Sequence, residues 1–334
     1  MRRVEGGRAS SYANTYWFES QQGPIVVDVP MTKSEAKSLR RGLENPYRIF
    51  ITAARAERFA SLDVMREGKV VASTTPAVAT EIKDYGGNRL AAARKRSGDD
   101  VPSEITPPSP SIEERTHDML GEVEIELLPL GPAESASSLA LYLPKTGELI
   151  TGDVVASNEH LDLTWGRSIA WQDRINELKA LNPKVVYPGH GRPGGPELLE
   201  QNLAYLKFFH DAVAARVKPG APQHITAADK KQIKKEMTLK FPTYGRDYLL
   251  DRSIPAEYAV QLQALPPAAT PAGEGTSGGA APTAPGAANA PGAPSSTSAP
   301  GDAVKPAAAG TTDELVSTPA PAKKSKKKKK KTDD

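Results

Sequence analysis

The sequence predicts an α/β domain of stacked sheets and helices over residues 1–265, followed by a tail with no fold of its own. Three observations predict it. Segments with strand alternation and segments with helical spacing succeed one another along the body. Several strands run straight into loops that carry charged, Gly or Pro residues, the arrangement in which α/β sheets present reactive groups. Composition changes abruptly after Leu265, and the last 69 residues contain no aromatic side chain.

The elements follow in order. Residues 11–19 and 23–29 are predicted strands about a polar Ser20-Gln21-Gln22 turn. Thr32, with Glu35 three residues on, is a capping box opening a helix to about Leu43. Asn45-Pro46 precedes a strand over 47–52, and 69–73 is another. Thr75-Pro76 starts a helix, with proline in the first turn where its missing N–H costs nothing. Residues 97–110, polar and Pro-rich, form a surface excursion. Strands are predicted at 122–129, 138–143 and 148–151, the last two joined by Pro144-Lys145-Thr146-Gly147. A helix over 168–181 buries Ile175, Leu178 and Leu181, and Asn182-Pro183 stops it. Residues 184–187 form a short buried strand entering Pro188-Gly189-His190-Gly191. Two helices complete the body, one from Pro196 to about Val217 and a last one over 226–239. No internal repeat of solenoid length is present.

Of 334 residues, 43 are Lys or Arg, 40 are Asp or Glu and none is Cys. The absence of cysteine excludes disulfides, thiolate zinc sites, thiol nucleophiles and iron–sulfur clusters. The tail holds nine lysines and six acids, which leaves 34 side chains of each sign in the body. A neutral body is not a nucleic-acid-binding domain on charge alone. No apolar run reads as a signal peptide or a transmembrane segment, so a cytoplasmic protein is expected. Residues 266–321 contain 11 prolines and three large aliphatics, Val304, Leu315 and Val316. Such a segment cannot offset the entropy of ordering and is expected to be a disordered linker. It ends in Lys323, Lys324, Lys326, Lys327, Lys328, Lys329, Lys330 and Lys331. That run is either a solubilising tip or a non-specific hook for a polyanion, nucleic acid or an anionic surface.

Three loops after strands stand out: 51–61, Thr151-Gly152-Asp153-Val154-Val155, and Tyr187-Pro188-Gly189-His190-Gly191. Together with Val26-Val27-Asp28 and Gly131-Pro132-Ala133-Glu134, their order and spacing resemble the metallo-β-lactamase superfamily over about residues 8–260. The resemblance implies a four-layer αββα sandwich with its site at one edge. It also implies a two-metal centre built from a His-x-His-x-Asp-His run, a later His, a bridging Asp and a final His. Carried over one position at a time, the first His of the run is Ala53 and the second is Arg55. The Asp of the run is Glu57, and its third His is Arg58. The later His is Glu134. Only the bridging Asp153 and the final His190 keep the pattern.

Alanine has no donor atom, and a guanidinium has no lone pair to give. The ion implied on Ala53, Arg55 and Glu134 is therefore lost. A second ion would keep Glu57, Asp153 and His190 but face the cation of Arg58 at close range. The expectation is a site with no metal cofactor. Arg55 and Arg58 then either pair with Glu57, Glu134 and Asp153 in place of the metals, or point to solvent over an eroded site. In the paired case His190 is expected to be protonated. Asp28 is read as holding the backbone of a neighbouring loop. Trp165, Arg167 and Trp171 fall where the family lines its cleft, the tryptophans serving ligand or core. His210 is read as ordinary surface.

The resulting expectation is a non-catalytic pseudo-hydrolase that binds a small ligand or protein in the old cleft. The alternative is a metal-dependent hydrolase of esters, thioesters, lactones or lactams, with one divalent transition metal on Glu57, Asp153 and His190.

Overall fold

The structure is a computed structural model that describes residues 1–66 and 70–266. The tail, including its lysine run and its expected disorder, lies outside the described residues. The N-terminal half contributes β1 (Arg2–Glu5), β2 (Asn14–Phe18), β3 (Ile25–Val27), α1 (Lys33–Arg41), β4 (Arg48–Phe50), α2 (Ala56–Phe59), α3 (Leu62–Met65), β5 (Val71–Ser73) and α4 (Pro76–Ser97). The second half contributes β6 (Thr116–Leu120), β7 (Val123–Leu130), β8 (Ser138–Leu143), β9 (Glu148–Ala156), α5 (Ser168–Lys179), β10 (Val185–His190), α6 (Glu197–Ala214), α7 (Ala227–Lys240) and α8 (Leu250–Gln263).

The strands form two mixed sheets, ordered β1-β2-β3-β4-β5 and β10-β9-β8-β7-β6. β3, β4 and β5 run parallel, as do β9 and β10. Period-2 alternation decides which core each side chain enters. Ile25 and Val27 of β3 face the space between the sheets, where they meet Leu139, Leu141 and Leu143 of β8. Val26 faces the other way, onto Leu39, Phe59, Val78 and Ile82 of the helices. Ala140 and Tyr142 face a third core with Trp171, Ile175, Leu206, Phe209 and Ile254. Three cores between four layers make an αββα sandwich, so the α/β fold class holds.

Caps agree with the sequence, with one difference. Thr32 caps α1 by accepting from the Glu35 N–H. Glu35 does not reach back to its own cap backbone; its carboxylate accepts from the Gly7 N–H at 2.8 Å and from Ser10 Oγ. The expected box thus becomes a tie to the N-terminal segment. Thr75 caps α4, which carries proline in its first turn. Among the described residues no helix is long and apolar enough to cross a membrane.

Candidate metal centre

The site gathers where β4, β7, β9 and β10 end. β4 runs into a loop whose last residue, Arg55, is the extended N-cap of α2. The first turn of α2 therefore aims Glu57 and Arg58 back at the strand ends. Asp153 lies within β9 and His190 ends β10. The two strands are parallel, so both side chains arrive at one edge. Glu134 comes from the loop after β7.

Arg58 is 0% exposed, and each of its five N–H groups has a partner. Nε donates to Asp153 Oδ2 at 2.9 Å, and Nη2 donates to Asp153 Oδ1 and to the Gly189 carbonyl. Nη1 donates to the Asn14 carbonyl at 2.9 Å and reaches Asp28 Oδ2 at 3.5 Å. Burial disfavours this cation, yet Asp153 and Asp28 more than offset that and hold it charged. Burial likewise opposes the Asp153 anion, but Arg58 and His190 keep its pKa well below the usual range. Asp28, in turn, accepts from the Thr52 N–H and hydroxyl, the loop-holding role read from the sequence. Burial, opposed by Arg58, raises its carboxyl to about 7.

Arg55 lies nearer the surface. Nε donates to Glu57 Oε1 at 3.1 Å and stands 3.7 Å from Asp153, while Nη2 donates to Asp162 at 2.8 Å. Burial opposes the Glu57 anion, but Arg55 holds its pKa down to about 2. Glu134 has no arginine partner among its hydrogen bonds. It accepts from Ser135 and Ser138 at 3.1 Å, and burial, with Asp153 adding to it, raises its carboxyl to about 7. Ala53 is buried in the preceding loop and offers no donor.

His190 differs from the expectation of a protonated ring. It is 2% exposed. Burial pushes its pKa down to about 4, with Arg246 adding to this and Asp153 opposing. Desolvation outweighs the carboxylate here. The neutral ring keeps a lone pair, the form a metal needs. Nε2 stands 3.2 Å from Asp153 Oδ1, but neither ring nitrogen makes an aligned hydrogen bond.

Gly189 is required by this packing. A Cβ there would stand 2.6 Å from both Arg58 Nη2 and Asp153 Oδ1. Gly189→Ala is expected to cost about 1–3 kcal/mol by overpacking. A urea unfolding midpoint equal to that of the parent protein would contradict this.

Sequence reasoning missed several residues here. Asp162 binds Arg55 and also pairs with Arg252 of α8. His160 is buried against the Tyr205 hydroxyl at 3.0 Å, and Arg246 has left-handed backbone at the cavity edge. None sits in a recognisable motif, and all arrive by tertiary packing. A cavity of about 10 Å³ lies among Arg55, Glu134, Asp153, His160, His190 and Arg246, room for about one water. Trp171 belongs to the core, its Nε1 donating to the Val154 carbonyl. Trp165 is 52% exposed. His210 is not plain surface, because its Nδ1 lies 2.9 Å from Ser168 Oγ and 3.0 Å from Glu257.

The profile of the Metallo-beta-lactamase superfamily matches residues 11–190. Metallo-beta-lactamase IND-1 of Chryseobacterium indologenes is 25% identical over 213 residues, 61% of this chain and 81% of that protein. A metallo-beta-lactamase from Pontibacter korlensis superposes with a TM-score of 0.49 at 18% identity, covering 58% of this chain and 87% of that one. DIM-1 metallo-beta-lactamase gives 0.47 at 17%, covering 58% and 86%.

The metal-free expectation is corrected at this point. Glu57, Asp153 and His190 each offer one ligand atom, and the three atoms lie within 4.8 Å of one another. The matching family and relative are metalloenzymes by name. The expectation counted Arg58 as an intruding cation. Its charge is in fact spent behind Asp153, on Asp28 and two carbonyls, and the three donors still converge. The donor set, two carboxylates and a neutral imidazole without a partner, fits one divalent transition ion better than a zinc pair.

Proposed function

The chain belongs to the metallo-β-lactamase superfamily, and on that premise we propose a pseudo-hydrolase that retains one ion position and binds a ligand in the old cleft. The ion would be held by Glu57, Asp153 and His190, and would supply Lewis acidity toward a ligand oxygen. The observation that carries the reading is Arg58. Its guanidinium grips both oxygens of Asp153, the residue the family pattern has bridging two metals. Arg55 covers the same carboxylate from the outer side. Ala53 and Arg55 remove two donors of the other ion.

A second reading, a single-metal hydrolase, is favoured by His190. Its unpartnered nitrogens and neutral state are what an active centre would show.

One experiment separates the two. Protein purified without chelator is analysed for transition metals, then loaded with manganese or iron and offered esters, thioesters, lactones and lactams. The expected result is about one equivalent of metal, at least tenfold weaker in Asp153→Ala, and no turnover above buffer. Turnover that disappears in Asp153→Ala would establish the hydrolase instead.

A further inference from the structure

Arg55 and Arg58 direct their N–H groups to Glu57, Asp153, Asp162 and backbone carbonyls. Arg246, the other arginine of the site, does not. Among the described residues none of its five N–H groups makes a hydrogen bond. Its Nε is closed to solvent, and Glu159 Oε2 stands 3.9 Å away, too far to accept. Nη1 and Nη2 are not closed, and the side chain keeps 13% of its surface exposed. A guanidinium so nearly buried costs free energy unless charge-assisted hydrogen bonds satisfy it.

The backbone sets its place. The Gly245 N–H donates to the Asn158 carbonyl at 2.9 Å, and the Gly245 carbonyl accepts from the His160 N–H at 2.9 Å. These two bonds pin the chain before α8 to the segment that leaves β9, the strand of Asp153. Arg246 follows with φ +60°, a left-handed conformation that is costly for arginine and persists where the surroundings impose it. Held this way, it lines one cavity with Asp153 and His190. That cavity measures about 10 Å³, room for one oxygen atom. His190, on its wall, has two ring nitrogens without partners. Arg246 lies beyond residues 11–190, so the family match does not account for it.

We propose that Arg246 recognises the ligand of the old cleft and that this ligand is a small oxyanion, one oxygen seated in the cavity beside His190 and another on the Arg246 Nη groups. Planar, two-pronged recognition of a carboxylate or phosphate is what a guanidinium with free Nη groups offers. Glu57 and Asp153 repel a seated anionic oxygen unless the ion stands between them, so ion and oxyanion strengthen one another's binding. The proposal rests on the one-ion reading and names the chemistry of the cleft's ligand.

The full chain, metal-free and manganese-loaded, is titrated by calorimetry with butyrate, inorganic phosphate and butyramide. On the loaded protein the better oxyanion is expected to bind at least about tenfold tighter than the neutral amide, and the tighter of the two identifies its class. Arg246→Gly accepts a left-handed backbone without strain, so it is expected to fold. It is expected to lose at least about tenfold in oxyanion affinity and to keep its manganese affinity within about threefold. Arg246→Lys, which keeps the charge, is expected to recover part of the loss. Equal binding of all three compounds, or oxyanion affinity unchanged in Arg246→Gly, overturns the proposal and leaves the one-ion reading standing. If no manganese is taken up, the one-ion reading falls and the metal-free protein decides. Oxyanion binding that Arg246→Gly abolishes would then sustain the Arg246 assignment, and no oxyanion binding would overturn it.

Discussion

Arg58→Met is expected to lose about 3–5 kcal/mol of folding stability, measured by urea or guanidinium denaturation. Methionine fills much of the same volume but leaves Asp153 and Asp28 buried without their cation. It also strands the Asn14 and Gly189 carbonyls that the guanidinium satisfies. Arg58→Lys should fall between, keeping the charge but losing the two-pronged grip on Asp153. Arg252→Met is the control, since that side chain is half exposed and its pair with Asp162 is screened; a change under about 1 kcal/mol is expected. If Arg58→Met shifts stability no more than Arg252→Met does, the guanidinium does not hold the site together.

Glu134→Gln is expected to stabilise the chelator-treated protein at pH 8 and to leave it unchanged near pH 4. The carboxyl is raised from 4.5 to about 7, by burial first and by Asp153 second. A group raised in this way contributes its full stability below the unfolded value and loses it as pH climbs through the folded one. Glutamine keeps an acceptor for Ser135 and Ser138 but never ionises. The gain at pH 8 should approach about 3 kcal/mol, the upper limit set by that shift. Asp28, also raised to about 7, has the same sign. Glu57 and Asp162, each lowered to about 2, have the opposite sign and lose stability as pH falls below about 4. Unfolding midpoints that track the parent protein at both pH values would show that Glu134 is not held neutral.

The sequence carried most of the layer order because the strands bury both faces and the helices have defined starts. Ser138–Leu143 is recovered to the residue, since Leu139, Leu141 and Leu143 alternate with Ala140 and Tyr142 between two cores. β1, α2, α3, β6 and α8 were not legible. β1 and β6 are short edge strands of mostly charged and polar residues, and only their neighbours' registers make them strands. No helix is predicted after residue 239. In the structure Pro255 sits early in α8, which continues to Gln263 and packs Ile254 and Tyr258 into the core. At the site, positions relative to strand ends were readable for Glu57, Asp153 and His190. Partners were not: Asp162 and Arg246 reach the cleft from parts of the chain with no spacing that links them to it, and Asp28, read as a loop-holder, also reaches Arg58. The protonation of His190 was misjudged because burial depth cannot be read from sequence, and burial decides it.

Arg58 comes from the N-terminal sheet's side of the sandwich, while Asp153 and Gly189 belong to the other sheet. Asn14 adds to the seam, donating from β2 to the Pro188 carbonyl of β10. The two halves are thus riveted by a cation that is part of the polypeptide and cannot be chelated away. On the proposed one-ion reading, closure of the sandwich is therefore expected to be independent of metal supply, with the ion acting on the cleft alone.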